Sequence, residues 1–118
     1  MWEELTDSDR LAEVLENGDA FPFVYILKHS PRCGISAMAK SRVERNPDPR
    51  LEYFIIDVLK HRPVSNFLAE RTDTVHESPQ GFLFERGRLI DVKSHSSIDP
   101  AEIGLKLDAI GTGSPANS

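Results

Sequence analysis

The chain has 118 residues, which suits one domain, and its 39% hydrophobic and 28% charged residues are typical of an ordinary globular protein. Its formal net charge of −5 argues against broad nucleic-acid binding, because that needs Lys and Arg to displace counterions from phosphates. The opening residues 1–4 lack the basic region of a signal peptide, and no apolar run approaches the roughly 20 residues that span a bilayer. We therefore expect a cytoplasmic protein with neither a nucleic-acid nor a membrane partner.

The first predicted elements are a helix and a buried strand. A helix over residues 6–18 is indicated by the capping-box spacing of Thr6 and Asp9, and Gly18 can end it in the left-handed conformation. The unbroken apolar run 21–27 follows. Its length and lack of polar alternation predict a strand that is covered on both faces.

A strand–helix–strand unit is predicted next. After a polar break, residues 33–44 predict a helix, and residues 51–59 predict a second buried strand. Two such strands joined through a helix form a right-handed βαβ unit. A short helix over 63–71 follows, with a proline suited to its first turn.

The last elements are a hairpin and a helix. Strands over 81–84 and 89–92 flank a turn in which Gly87 supplies the positive φ that a tight turn requires. Asp99 is placed as the N-cap of a final helix, which Gly111 would close. We expect one domain over residues 1–110 and a loose tail over 111–118.

This order of elements predicts an α/β protein with a thioredoxin-like fold: a helix, then β-α-β, then α-β-β-α. The sheet would have four strands, mixed in direction, with helices on both faces.

Cys33 is the only cysteine, so the domain cannot form an internal disulfide. It stands at the predicted start of a helix, where free N–H groups and the helix dipole favour a thiolate, and Arg32 adds a positive charge. Ser36 occupies the position of the second sulfur in a Cys-x-x-Cys pair. Ser36 can donate a hydrogen bond to the thiolate. A hydroxyl cannot expel a bound substrate, so an outside thiol must release it.

A second candidate element lies at Ser78–Pro79, just before the 81–84 strand. A cis peptide bond there would turn the Ser78 backbone toward the thiol, where it can pair with an extended peptide or a small peptide-like thiol. His95, in the loop that enters the last helix, is a candidate for binding a carboxylate of that small thiol.

Each candidate also has a plain structural interpretation. Cys33 is alternatively an unreactive buried thiol, and Arg32 a solvated surface charge. Ser96 or Ser97 would then only cap the last helix. The four histidines do not have metal-ligand spacing, so we expect no metal site.

The stretches 28–36, 76–80 and 94–95 resemble the YtxJ family of the bacillithiol system, which are monothiol bacilliredoxins of the thioredoxin and glutaredoxin superfamily. The resemblance covers nearly the whole chain, to about residue 110. It implies an oxidoreductase that removes bacillithiol from S-thiolated proteins through Cys33, with Ser78 and Pro79 as the cis-proline element. No resident cofactor is implied; the low-molecular-weight thiol is a co-substrate.

Gly34 departs from the proline expected after the cysteine in that family. The motif Cys33-Gly34-Ile35-Ser36 is therefore closer to the Cys-Gly-Phe-Ser of monothiol glutaredoxins, some of which hold an iron–sulfur cluster with glutathione. Cluster binding or carriage is accordingly the alternative function. The glutathione-binding signature of those proteins is not recognisable in residues 93–97.

Overall fold

The computed structural model describes residues 1–117, with side chains as far as residue 110. The elements in chain order are β1 (Trp2–Glu4), α1 (Ser8–Glu16), β2 (Phe23–His29), α2 (Gly34–Arg45), β3 (Glu52–Asp57), α3 (Arg62–Thr72), β4 (Gln80–Glu85), β5 (Arg88–Ser94), a 3₁₀ turn (His95–Ser97) and α4 (Pro100–Asn117). None of these helices is both long enough and apolar enough to cross a membrane, within the part of the chain described.

The strands form one mixed sheet in the order β1-β3-β2-β4-β5. The strands β1 and β2 both run parallel to β3, whereas β4 is antiparallel to β2 and to β5. The predicted count of four strands is therefore wrong by one. The additional strand, β1, is an edge strand held by its pairing with β3 and by an edge-on contact of the Trp2 and Tyr53 rings, whose centroids lie 5.5 Å apart.

The two faces of the sheet bury separate hydrophobic clusters, which explains the unbroken apolar run in β2. Val24 and Ile26 pack into the cluster beneath α1 and α3, while Tyr25 and Leu27 pack into the cluster beneath α2 and α4. Successive side chains of a strand point to opposite faces, so a strand covered by helices on both sides has no polar alternation.

Both ends of the first helix differ from the prediction, whereas the N-terminal end of the last helix agrees with it. Asp7, not Thr6, caps α1, since its Oδ1 accepts a hydrogen bond from the Arg10 N–H at 2.8 Å. The helix ends at Asn17 rather than in a left-handed Gly18. Asp99 caps α4 as predicted, its Oδ1 accepting from the Ala101 N–H at 3.0 Å.

The helix α4 continues past Gly111, where the sequence predicted its end. Side chains of residues 111–118 lie outside the described part of the structure. The loose tail and the domain limit at residue 110 stay predictions.

The β4–β5 turn is tight and is packed against α1. Arg86 and Gly87 have φ values of 49° and 79°, both in the left-handed region, so the prediction for Gly87 is confirmed. A Cβ atom at this glycine would collide with the carbonyl oxygen of Leu15. Glycine is thus required here for its backbone conformation and for its small size.

One end of the sheet gathers the segments that carry the candidate residues. Lys28 of β2 pairs with Gln80 of β4, and the two strands are antiparallel. Pro79, just before β4, therefore lies at the same edge of the sheet as His29, the last residue of β2. The chain leaves β2 at this edge and reaches Cys33 four residues later. The end of β3 lies at the same edge, because β2 and β3 are parallel and His29 pairs with Asp57.

Candidate active site

Cys33 is the N-cap residue of α2 and is partly buried. Its backbone is extended, with φ −108° and ψ 123°. Its carbonyl oxygen accepts a helical hydrogen bond from the Ala37 N–H at 3.0 Å. Its side chain makes no capping hydrogen bond. The thiol therefore lies at the positive end of the helix dipole, and it accepts no hydrogen bond from the free N–H groups of the first turn.

Ser36 is fully buried and faces the loop that follows β2. Its Oγ accepts a hydrogen bond from the Ser30 N–H at 3.0 Å and lies 2.8 Å from His29 Nδ1. Within the described residues, no hydrogen bond joins it to Cys33. In the described structure, the hydroxyl is thus bonded to the loop and not to the sulfur.

His29 completes this buried contact. Burial lowers its pKa, and the positive charge of Lys40 lowers it further, so the imidazole is neutral near pH 7. A neutral ring and a hydroxyl form one hydrogen bond, whichever of the two groups donates. Ser36 therefore links the last residue of β2 to the first turn of α2, and these hydrogen bonds stabilise the loop that leads to Cys33.

We expect Ser36→Ala to lower the free energy of unfolding by about 1–3 kcal/mol, because the Ser30 N–H and His29 Nδ1 lose their partner. The matched control is Ser41→Ala on the same helix, where Oγ only accepts a bond of 3.3 Å from exposed Arg45. That variant should stay within about 0.5 kcal/mol of the parent. Urea denaturation compares the two. Equal stabilities would show that the Ser36 hydroxyl does not hold the loop.

The Ser78–Pro79 peptide bond is cis, and the segment before it is held from several sides. The buried Gln80 side chain accepts from the Glu77 N–H at 3.2 Å and donates to the Val75 carbonyl at 3.1 Å. The Pro79 carbonyl accepts from the His95 N–H at 3.0 Å. Ser78 Oγ is buried and has no hydrogen-bond partner among the described residues. This buried hydroxyl is therefore unsatisfied within the described part of the chain.

His95 opens the 3₁₀ turn and contacts the cis-proline segment. Its φ of 54° is left-handed, and its Nδ1 lies 3.5 Å from a carboxylate oxygen of Glu77. The Arg42 guanidinium of α2 donates to the carbonyls of His95 and Ile98, at 3.0 and 3.1 Å. Because Asp99 caps the following helix, the alternative that Ser96 or Ser97 caps it is wrong.

Arg32 and Gly34 flank the cysteine on its exposed side. Nothing lies within 4 Å of the position that a Cβ atom would take at Gly34, so a larger residue fits there. Arg32 lines a groove of about 290 Å³ between the loop after β2 and the turn after β3. The structure thus brings Cys33, the Ser78–Pro79 segment, His95 and this groove to one end of the sheet. It assigns Ser36 to the interior.

The family model for the monothiol bacilliredoxin BrxC matches residues 3–103. The chain belongs to this family. It is thus a member of a thiol–disulfide oxidoreductase family, and the predicted resemblance to bacilliredoxins is confirmed.

Solved structures agree on the fold of this bacilliredoxin family member. A structure described as an oxidoreductase with a thioredoxin fold is 28% identical, with a TM-score of 0.80 over 88% of this chain and 91% of that one. The thioredoxin of Malassezia sympodialis is 17% identical, with a TM-score of 0.68 over 92% and 89%. Thioredoxin from Trypanosoma brucei brucei is 11% identical, with a TM-score of 0.73 over 93% and 90%. The predicted thioredoxin-like α/β class is therefore confirmed.

One buried charge of this bacilliredoxin family member was not predicted from the sequence. Lys28 is fully buried beneath His76, whose Nδ1 lies 3.2 Å from the ammonium nitrogen, and this nitrogen is 5.5 Å from the centre of the Phe82 ring. It has no carboxylate partner among the described residues. Burial lowers the pKa of Lys28 to about 8. Lys28 directly follows the apolar run 21–27, and a lysine near the end of a strand is usually exposed. Its burial was therefore not predicted.

Proposed function

We propose that the protein removes a low-molecular-weight thiol, bacillithiol in the first instance, from mixed disulfides on S-thiolated proteins. One observation carries the proposal: the single thiol of the described domain stands free at the N-terminus of α2, and the residue three positions later is a buried serine. Such a site supports attack on a disulfide but holds no second sulfur to finish the reaction internally.

The first step is a thiol–disulfide exchange at Cys33. Its thiolate attacks the sulfur of the small thiol in the mixed disulfide, and the bond between that sulfur and the target's cysteine breaks. The target leaves as a thiolate and takes up a proton from solvent, while the small thiol stays on Cys33. Cys33 lies at the positive end of the α2 dipole, which favours negative charge on the attacking sulfur.

The second step needs an outside thiol. Its thiolate attacks the small-thiol sulfur on Cys33, and Cys33 departs as a thiolate that the helix terminus again stabilises. In the proposed complex, the peptide groups at Ser78–Pro79 pair with the extended part of the substrate, and His95 contacts a carboxylate of the small thiol. The half-exposed His95 side chain supports the second of these assignments.

Intact-mass spectrometry tests the proposal directly. The reduced protein is mixed with a single-cysteine model protein that carries either bacillithiol or glutathione, in parallel reactions. We expect the protein to gain the mass of one bacillithiol while the model protein appears in its reduced form. Digestion should place the added mass on Cys33.

The glutathione reaction is the control for the identity of the small thiol. Transfer from the bacillithiol donor at a rate well above that from the glutathione donor supports the proposal in full. Equal rates of transfer from the two donors would support the exchange activity but contradict a preference for bacillithiol. No adduct from either donor would contradict the proposed function.

A further inference from the structure

The groove beside Cys33 lies between two loops at the active end of the sheet. Its volume is about 290 Å³, and its lining residues are Pro31, Arg32, Asp57, Leu59 and Lys60. This is close to the lower limit of pockets that hold small molecules, roughly 300 Å³. Arg32 is the residue before Cys33 in the chain, so part of the groove's lining and the thiol belong to the same loop.

The free charges of the groove are positive, although the chain as a whole is acidic. Neither Arg32 nor Lys60 forms an ion pair among the described residues, and both are exposed. Asp57 is the one acidic residue of the lining. Its Oδ1 accepts hydrogen bonds from the Leu59 and Lys60 N–H groups at 2.9 and 3.0 Å, so it caps its own turn.

The lining also has an apolar part. Leu59 is 50% exposed, and Pro31 is exposed beside it. A fitting occupant therefore combines carboxylates for the two cations with a short carbon skeleton that lies over the apolar residues. It must also reach Cys33, since the groove and the thiol share one loop. A small thiol with carboxylate groups has these properties.

We propose that Arg32 and Lys60 bind a carboxylate of the small thiol other than the one that contacts His95, and thereby select which of the two sulfurs Cys33 attacks. This inference rests on the proposed function. In a mixed disulfide, both sulfurs are open to attack by a thiolate. If the small thiol lies in the groove, its own sulfur is presented to Cys33 and the target protein leaves.

The opposite attack leads to a different product. When Cys33 attacks the target's sulfur, a bond forms between Cys33 and the target, and the small thiol leaves as a thiolate. Ser36 cannot resolve either disulfide, so both products need an outside thiol, but only attack on the small thiol's sulfur releases the target in the first step. Selection of the sulfur therefore decides whether the target leaves reduced or stays joined to Cys33.

The test uses Arg32→Ala/Lys60→Ala and three forms of one single-cysteine model protein. These forms carry bacillithiol, glutathione or 2-mercaptoethanol, and the last adduct has no carboxylate. We expect the double variant to lose about tenfold in the rate constant for the two carboxylate-bearing adducts. It should react with the 2-mercaptoethanol adduct at the parent's rate. For the carboxylate-bearing adducts, the fraction of Cys33 joined to the target should also rise, as measured on non-reducing gels and by intact mass.

Arg88→Ala is the matched control. Arg88 is an exposed arginine at the hairpin end of the sheet, and its substitution should leave all three rates and the product ratio unchanged. An equal loss for the neutral adduct would overturn the inference, since the cations would then act on the thiol itself. Unchanged rates and product ratios for all adducts would also overturn it while leaving the proposed function intact. Failure of the parent protein to exchange any adduct would overturn both.

Discussion

Replacing Cys33 with serine is expected to lower the rate of dethiolation by at least about 1,000-fold, because a thiolate is the attacking species and a serine hydroxyl stays protonated at neutral pH. The same variant should be slightly more stable than the parent. The residue is the extended N-cap of α2 and its side chain makes no capping bond, whereas serine is a preferred N-cap worth about 0.5–1 kcal/mol.

If activity falls while stability rises, the lost activity comes from the missing thiolate and not from an unfolded protein. Release of the reduced model protein is followed by mass spectrometry, and unfolding is followed in urea. Retained dethiolation by the serine variant would contradict a role for Cys33 as nucleophile. A large loss of stability would contradict the N-cap geometry instead.

Lys28→Met is expected to raise the free energy of unfolding at pH 7 by roughly 3 kcal/mol and the midpoint of thermal unfolding by about 10 °C. The ammonium group is fully buried and has no carboxylate partner among the described residues, so its charge is costly in the folded protein. Lowering its pKa from 10.5 to about 8 corresponds to roughly this free energy. Methionine has a similar length and carries no charge.

The pH dependence has a defined sign. Below pH 8 lysine is protonated in both the folded and the unfolded chain, and the penalty is present in full. Between pH 8 and 10.5 the unfolded chain binds more protons than the folded one at this residue, so the contribution of Lys28 to stability rises with pH. The methionine variant lacks this rise. The difference between the two proteins should therefore shrink above pH 8.

Denaturant unfolding at pH 7, 8, 9 and 10 measures this difference, since all other titrating groups are common to both proteins. Lys60→Met is the matched control, because Lys60 is exposed and its replacement should change stability by no more than about 0.5 kcal/mol. If the difference in the free energy of unfolding between the parent and Lys28→Met is the same at all four pH values, it contradicts the assignment of a buried ammonium group without a carboxylate partner.

The central strands were predictable because burial on both faces leaves an unmistakable pattern. The run 21–27 is apolar throughout, and β2 is covered by helices on each side. The edge strand β1 was missed, since Trp2–Glu4 is short and two of its three residues are exposed glutamates. Pairing with β3, rather than any preference of these residues, makes it a strand.

The site was predictable in its residues and less so in its orientations. The order of elements brings Cys33 and Pro79 to one edge of the sheet, which sequence alone indicated. Sequence spacing also placed Ser36 one helical turn beyond Cys33, but spacing does not fix a rotamer. The buried Ser30 N–H and His29 Nδ1 turn the hydroxyl away from the sulfur, and these partners become visible only in three dimensions.

The bonds of Ser36 to the loop limit how the proposed reaction can be regulated. A resolving cysteine at this position would have to give up the bonds that hold the Cys33 loop, so internal resolution and loop order compete for one side chain. In the proposed reaction, the rate of release therefore depends on the pool of reduced small thiol. When that pool is depleted, the proposed reaction leaves Cys33 in its capped form, and the capped fraction becomes a measure of oxidative load.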